Sequence, residues 1–85
     1  MVQFNYEIKD PAGIHPRPAG LLINQARKFK SDFFISVGDR SCDMLKLLSL
    51  VGLSVRQGDL VTVSVSGEDE DAASDAIMKY FTENL

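Results

Sequence analysis

Phe33-Phe34-Ile35-Ser36-Val37-Gly38-Asp39-Arg40-Ser41-Cys42-Asp43 is the stretch that decides the fold. Phe33, Ile35 and Val37 alternate, as in a half-buried strand. Gly38-Asp39 is tight-turn chemistry, and a short strand follows at about 40–43. Strands joined by so short a turn run antiparallel. Upstream, Val2, Phe4, Tyr6 and Ile8 alternate with polar residues, predicting a strand over 2–8. Asp10-Pro11-Ala12-Gly13 is a turn. Ala19, Leu22, Ile23 and Ala26 then fall on one helical face. Downstream, residues 46–53 are rich in leucine and predict a short helix. After a turn at Gln57-Gly58-Asp59, Val61, Val63 and Val65 mark a fourth strand. A last helix starts near Glu68 or Asp69, its acidic first turn to Asp71 complementing the helix dipole. Ala73, Ala76, Ile77, Tyr80 and Phe81 form its apolar face. The order is βαββαβα, an α+β pattern. An antiparallel sheet with all three helices on one face buries every apolar stripe.

Composition sets the limits. The 85 residues are 45% hydrophobic and 25% charged, as expected of one globular domain over 1–85. No apolar run approaches the roughly 18–20 residues that span a bilayer. The start of the chain lacks a basic segment followed by an apolar one, so no secretory signal is expected. One cysteine, Cys42, suits a reducing compartment, and a cytoplasmic location is expected. One histidine, His15, and scattered carboxylates show no metal-ligand spacing, so neither a metal nor a cofactor is expected.

The net charge of -3 argues against nucleic-acid binding. It also hides an asymmetry. Residues 14–56 carry seven cations and three anions, whereas 57–85 carry seven anions and one cation. Two solvated faces would explain this, and so would a basic side that attracts acidic partners or phosphate.

Gly13-Ile14-His15-Pro16-Arg17-Pro18-Ala19 carries the chemistry. His15 stands immediately before the first helix, with Pro16 and Pro18 in its first turn. A helix start offers unpaired N–H groups and the positive end of a dipole, which favour an anion such as phosphate. Arg17 adds a planar cation able to fork onto phosphate oxygens. A neutral imidazole in that setting is a nucleophile whose product the site stabilises. On the residues alone, a capping or solvated histidine stays open beside the phosphoryl site.

The same segment resembles the active-site motif of HPr, the histidine-containing phosphocarrier family of the phosphoenolpyruvate-dependent sugar phosphotransferase system. The resemblance covers essentially the whole chain, including Ser66-Gly67-Glu68-Asp69-Glu70 before the last helix. It implies an open-faced β-sandwich and a carrier that is not an enzyme in the turnover sense. Enzyme I would phosphorylate His15 on Nδ1 (the pros nitrogen), and the carrier would pass the group to a sugar-specific enzyme IIA. Arg17 and Pro18 would form the phosphate-binding part. Gly20, Leu21, Asn24 and Arg27 on the first helix would dock partners, with Leu47, Leu48 and Val51 on the second. Leu21 and Leu48 lie off the apolar faces, so they read as partner contacts or as peripheral core. The implied carrier is a monomer without membrane insertion.

Three residues depart from the family pattern. Many members carry a regulatory serine at the start of the second helix, where this chain has Lys46. Pro16 stands where alanine or threonine is common, and removes one N–H from the anion site. Ala12 replaces a serine or asparagine able to hydrogen-bond near the ring. The alternative reading is therefore a divergent paralogue, a regulatory adaptor that binds an enzyme or a transcriptional regulator without obligatory phosphotransfer.

Overall fold

The computed structural model describes residues 1–85. Its elements are β1 (Val2–Glu7), α1 (Pro16–Ala26), β2 (Asp32–Val37), β3 (Arg40–Asp43), α2 (Leu47–Gly52), β4 (Leu60–Ser66) and α3 (Glu70–Asn84). The four strands form one antiparallel sheet in the order β1-β4-β2-β3.

The alternation of the sequence becomes rows across this sheet. Val2, Val65 and Phe33 share one row, and Phe4, Val63, Ile35 and Cys42 the next. Tyr6, Val61 and Val37 form the third. These side chains face the helices. The opposite face carries Gln3, Asn5, Ser36, Thr62 and Ser64, with hydrogen bonds from Gln3 Nε2 to Ser64 Oγ (3.0 Å) and from Thr62 Oγ1 to Asn5 Oδ1 (2.7 Å). The sheet is thus covered on one side and open on the other, which is the open-faced α+β sandwich expected from the sequence.

The helices supply the second layer. Ala19, Leu22, Ile23 and Ala26 of α1 are all buried, as their spacing predicts. Phe81 of α3 meets Phe4 and Tyr6 edge-on, with ring centroids 5.8 Å and 5.5 Å apart. A fully buried side chain of this class contributes roughly 1.5–3 kcal/mol, so this layer dominates stability. Leu50 alone of α2 is buried, and that helix lies at the rim of the core. Cys42 is half-buried beside Ile35, and burial, reinforced by Asp43, pushes its thiol pKa up. It packs as an apolar side chain and is disfavoured as a thiolate.

Two boundaries differ from the sequence reading. β1 stops at Glu7: the Ile8 N–H still reaches the carbonyl opposite it, Asp59 (2.9 Å), but the Asp59 N–H turns back to Arg56 (3.0 Å) and the Ile8 carbonyl takes the Gly58 N–H (2.8 Å). α3 begins at Glu70, because the preceding acids are engaged elsewhere. Asp69 accepts the Ser31 hydroxyl (2.6 Å) and the Lys30 N–H (2.8 Å), and Glu68 pairs with Lys30 Nζ (3.3 Å). Only Glu70 and Asp71 remain in the first turn, and Glu70 pairs with the Met1 ammonium (2.9 Å). The buried face of α3 is Ala73, Ser74, Ile77 and Phe81, with Ala76 and Tyr80 at its margin.

Asp69 therefore closes the approach of β2 to α3. The Ser31 hydroxyl first, and the Lys30 N–H second, hold its carboxyl below the usual carboxylate range. A lowered native pKa stabilises the fold above the unfolded value of about 3.9, and that stabilisation is lost as pH falls through the native value. Asp69→Asn is expected to unfold at lower denaturant concentration than the parent at pH 7. The gap between the two should shrink as pH drops below about 4, and urea titrations across that range check it.

Candidate functional site

The loop before α1 is fixed by contact with the strand of chain before β4. Gly13 has φ +66°, in the left-handed region, and a Cβ there would run into the Val55 carbonyl and the Arg56 Cα. Glycine is the residue that allows this approach. The Ile14 N–H donates to the Val55 carbonyl (3.2 Å), and Ile14 is buried. Asp10 closes the preceding turn, its carboxylate accepting the Ala12 N–H (2.8 Å) and its carbonyl the Gly13 N–H (2.9 Å).

His15 follows as the N-cap of α1, in extended conformation (φ −109°, ψ 172°). That backbone is what a following proline imposes. The His15 carbonyl accepts the Ala19 N–H (3.1 Å) and so starts the helix. The imidazole makes no capping hydrogen bond, which removes the capping role left open by the sequence. His15 is half-buried, and Arg17, two residues on, is exposed and in no ion pair. An imidazole without an internal hydrogen-bond partner thus stands at the positive end of an 11-residue helix, two residues before the unpaired Arg17.

Pro18 is placed differently from the sequence expectation. It is buried, and as a proline it has no N–H to give a phosphate. Its carbonyl accepts the Tyr80 hydroxyl (3.1 Å), so it ties the first turn of α1 to α3. Sequence reading missed this role of Tyr80, since an aromatic on an apolar helix face gives no hint of where its hydroxyl ends.

Residues 2–83 match the family described as the PTS HPr component phosphorylation site. The chain belongs to the HPr family, the phosphocarriers of the phosphotransferase system. The phosphocarrier protein HPr of Lysinibacillus sphaericus is 36% identical over 78 residues, which is 92% of this chain and 89% of that one. The HPr-like protein Crh of Bacillus subtilis is 32% identical over 85 residues, the full length of both. Among solved structures, a mycoplasma histidine-containing phosphocarrier protein superposes with a TM-score of 0.92 at 27% identity, covering 96% of this chain and 93% of that one.

Against that HPr frame, the predicted partner-binding residues fall into three groups. Gly20, Asn24, Arg27 and Leu47 line one shallow hollow of about 220 Å³ between α1 and α2, together with Ile23 and Leu45. Leu21 and Leu48 stand free, 52% and 88% exposed, which sets aside the peripheral-core reading of both. Val51 differs: it is half-buried against the core and contributes little open surface. Lys46 is the N-cap of α2, exposed and unpaired, where its charge opposes the helix dipole. Arg17 in the first turn of α1, Arg27 at the opposite end of that helix and Lys46 at the start of α2 are all in no ion pair.

Gly13→Ala is expected to destabilise the protein by at least about 1–2 kcal/mol, the cost of the left-handed backbone alone, with the Val55 clash added. Chemical denaturation measures it. Val55→Ala, which keeps the carbonyl, leaves the loop contact in place.

Proposed function

We propose that this HPr-family chain, over 1–85 as a single domain, accepts a phosphoryl group on His15 Nδ1 from phosphorylated enzyme I and donates it to a sugar-specific enzyme IIA. The observation that carries this is the uncapped His15 ring at the start of α1 beside the unpaired Arg17. In the acceptor step the ring lone pair forms a bond to phosphorus. The N–P bond of the donor breaks, and its electron pair stays on the donor's nitrogen. Arg17 and the helix start then hold the arriving charge. Nothing turns over on the protein itself, which alternates between two covalent states.

The exposed Leu21, Leu47 and Leu48, rimmed by Arg17, Arg27 and Lys46, suit partners with an apolar centre and an acidic rim. In this reading donor and acceptor use the surface in turn, and the carrier is a cytoplasmic monomer with no nucleic-acid partner. Incubation with phosphoenolpyruvate and enzyme I should add one acid-labile phosphoryl group, seen by intact mass. His15→Ala should gain none. An equal gain in the variant, or none in the parent, contradicts the assignment. Lys46 has no hydroxyl, so a serine kinase acting at that position of other members should leave this chain unmodified, as mass after kinase treatment will read.

A second reading is favoured by Lys46 and by the full-length similarity to Crh. In it the chain is a regulatory adaptor that binds an enzyme or a transcriptional regulator without obligatory phosphotransfer. Retention of partners by His15→Ala in pull-down experiments supports the adaptor, and their loss supports the carrier.

A further inference from the structure

A helix start leaves its first four N–H groups without a partner inside the helix. At α1 these belong to positions 15 to 18, and two of the four are prolines. The neighbouring donors are already engaged. Ala12 N–H goes to Asp10 Oδ1, Gly13 N–H to the Asp10 carbonyl, Ile14 N–H to Val55, and Ala19 N–H to the His15 carbonyl. Within the helix proper, Arg17 offers the one backbone N–H still free. Pro18 is buried and anchored to Tyr80, so its ring is part of the packing. Pro16 is exposed, and neither its burial nor a contact of its ring accounts for it.

Resting on the phosphocarrier reading above, we propose that Pro16 is a positioning residue that raises the phosphoryl-donor potential of His15 by withholding a backbone N–H from the phosphorylated ring. Proline acts at two places. It holds His15 in the extended backbone observed, which sets the direction of its Cα–Cβ bond at the helix start. It also removes a donor that would strengthen only once the dianionic phosphoryl group arrives. Such a hydrogen bond to a charged group discriminates between the two states by roughly one to two powers of ten in equilibrium. The phosphorylated form is therefore less stable relative to the free ring than it would be with any other residue at this position. Arg17 bears a larger share of the anion through its N–H and guanidinium.

The reaction used to test this is reversible exchange with enzyme I. In the forward direction the enzyme I N–P bond breaks and a His15 Nδ1–P bond forms. In the reverse direction the electron pair returns to His15. The experiment compares the parent with Pro16→Ala, which restores the N–H at an exposed helix start that tolerates alanine. Both are phosphorylated from phosphoenolpyruvate and enzyme I, and intact mass confirms the gain. Phosphorylated enzyme I, freed of phosphoenolpyruvate, is then equilibrated with each carrier, and the phosphorylated fractions are read by mass.

Pro16→Ala is expected to shift the ratio of phosphorylated to free carrier upward by about tenfold, and by threefold at the least. Thermal unfolding of both unphosphorylated proteins controls for folding. Its phosphoryl group should also hydrolyse more slowly when donor and acceptor proteins are removed. A shift below threefold, or one toward the free carrier, overturns the role of Pro16 while leaving the phosphocarrier reading intact. Absence of any mass gain in either protein overturns that reading and this inference together. Arg17→Lys supplies a second comparison: with a bidentate fork replaced by a point charge, the ratio should fall further.

Discussion

Chain at residues 13 and 14 passes against the carbonyl of Val55 so closely that a side chain at 13 is excluded. That seating does three things at once. It ends the turn after β1, it aims His15 at the start of α1, and it docks the α1 start on the chain that links α2 to β4. The helix carrying Arg17 and the helix carrying Lys46 and Leu48 are thereby held to one edge of the molecule. Tyr80 adds a second tie from α3 to the Pro18 carbonyl. The site is small because the scaffold does the orienting, and the chemistry needs one ring, one guanidinium and one helix end.

The charge asymmetry acquires a structural meaning in this frame. Arg17, Arg27 and Lys46 of the 14–56 segment are in no ion pair, which leaves their charge open to solvent. The acids of the 57–85 segment are partly spent on the fold. Asp69 clamps Ser31 and Lys30, Glu68 pairs with Lys30, and Glu70 pairs with the amino terminus. One half of the asymmetry thus leaves cations without ion-pair partners, and part of the other is used in closing the sheet on α3. Net charge alone describes neither.

Much of this was legible in the residues. The alternation in Val2 to Ile8, Phe33 to Val37 and Val61 to Val65 became three rows of one buried sheet face. The α1 face was read residue for residue, since a period of three to four has one solution on a helix. The start of α3 falls within one residue of the expected place, with Asp69 as its N-cap, although dipole arguments see acids near a helix and cannot see Ser31 claiming one of them. Pro18 was assigned to phosphate by resemblance, yet proline has no donor and its burial is a tertiary fact. Ser74 and Tyr80 were missed for a related reason: burial of a polar side chain, or the reach of a hydroxyl across helices, is set by packing that no local pattern encodes. Leu21 and Leu48 were the reverse case. Their position off the apolar stripes was visible in sequence, and their exposure follows.

A phosphoryl group confined to the ring at the start of α1 is felt first by the Arg17 N–H and guanidinium. Amide and side-chain nitrogen NMR spectra of the protein before and after phosphorylation test this most directly. The largest shifts are expected at His15 and Arg17, smaller ones along the first turn of α1, and little change on the open face of the sheet. Shifts centred elsewhere, or an unmoved Arg17 in a phosphorylated protein, would contradict it.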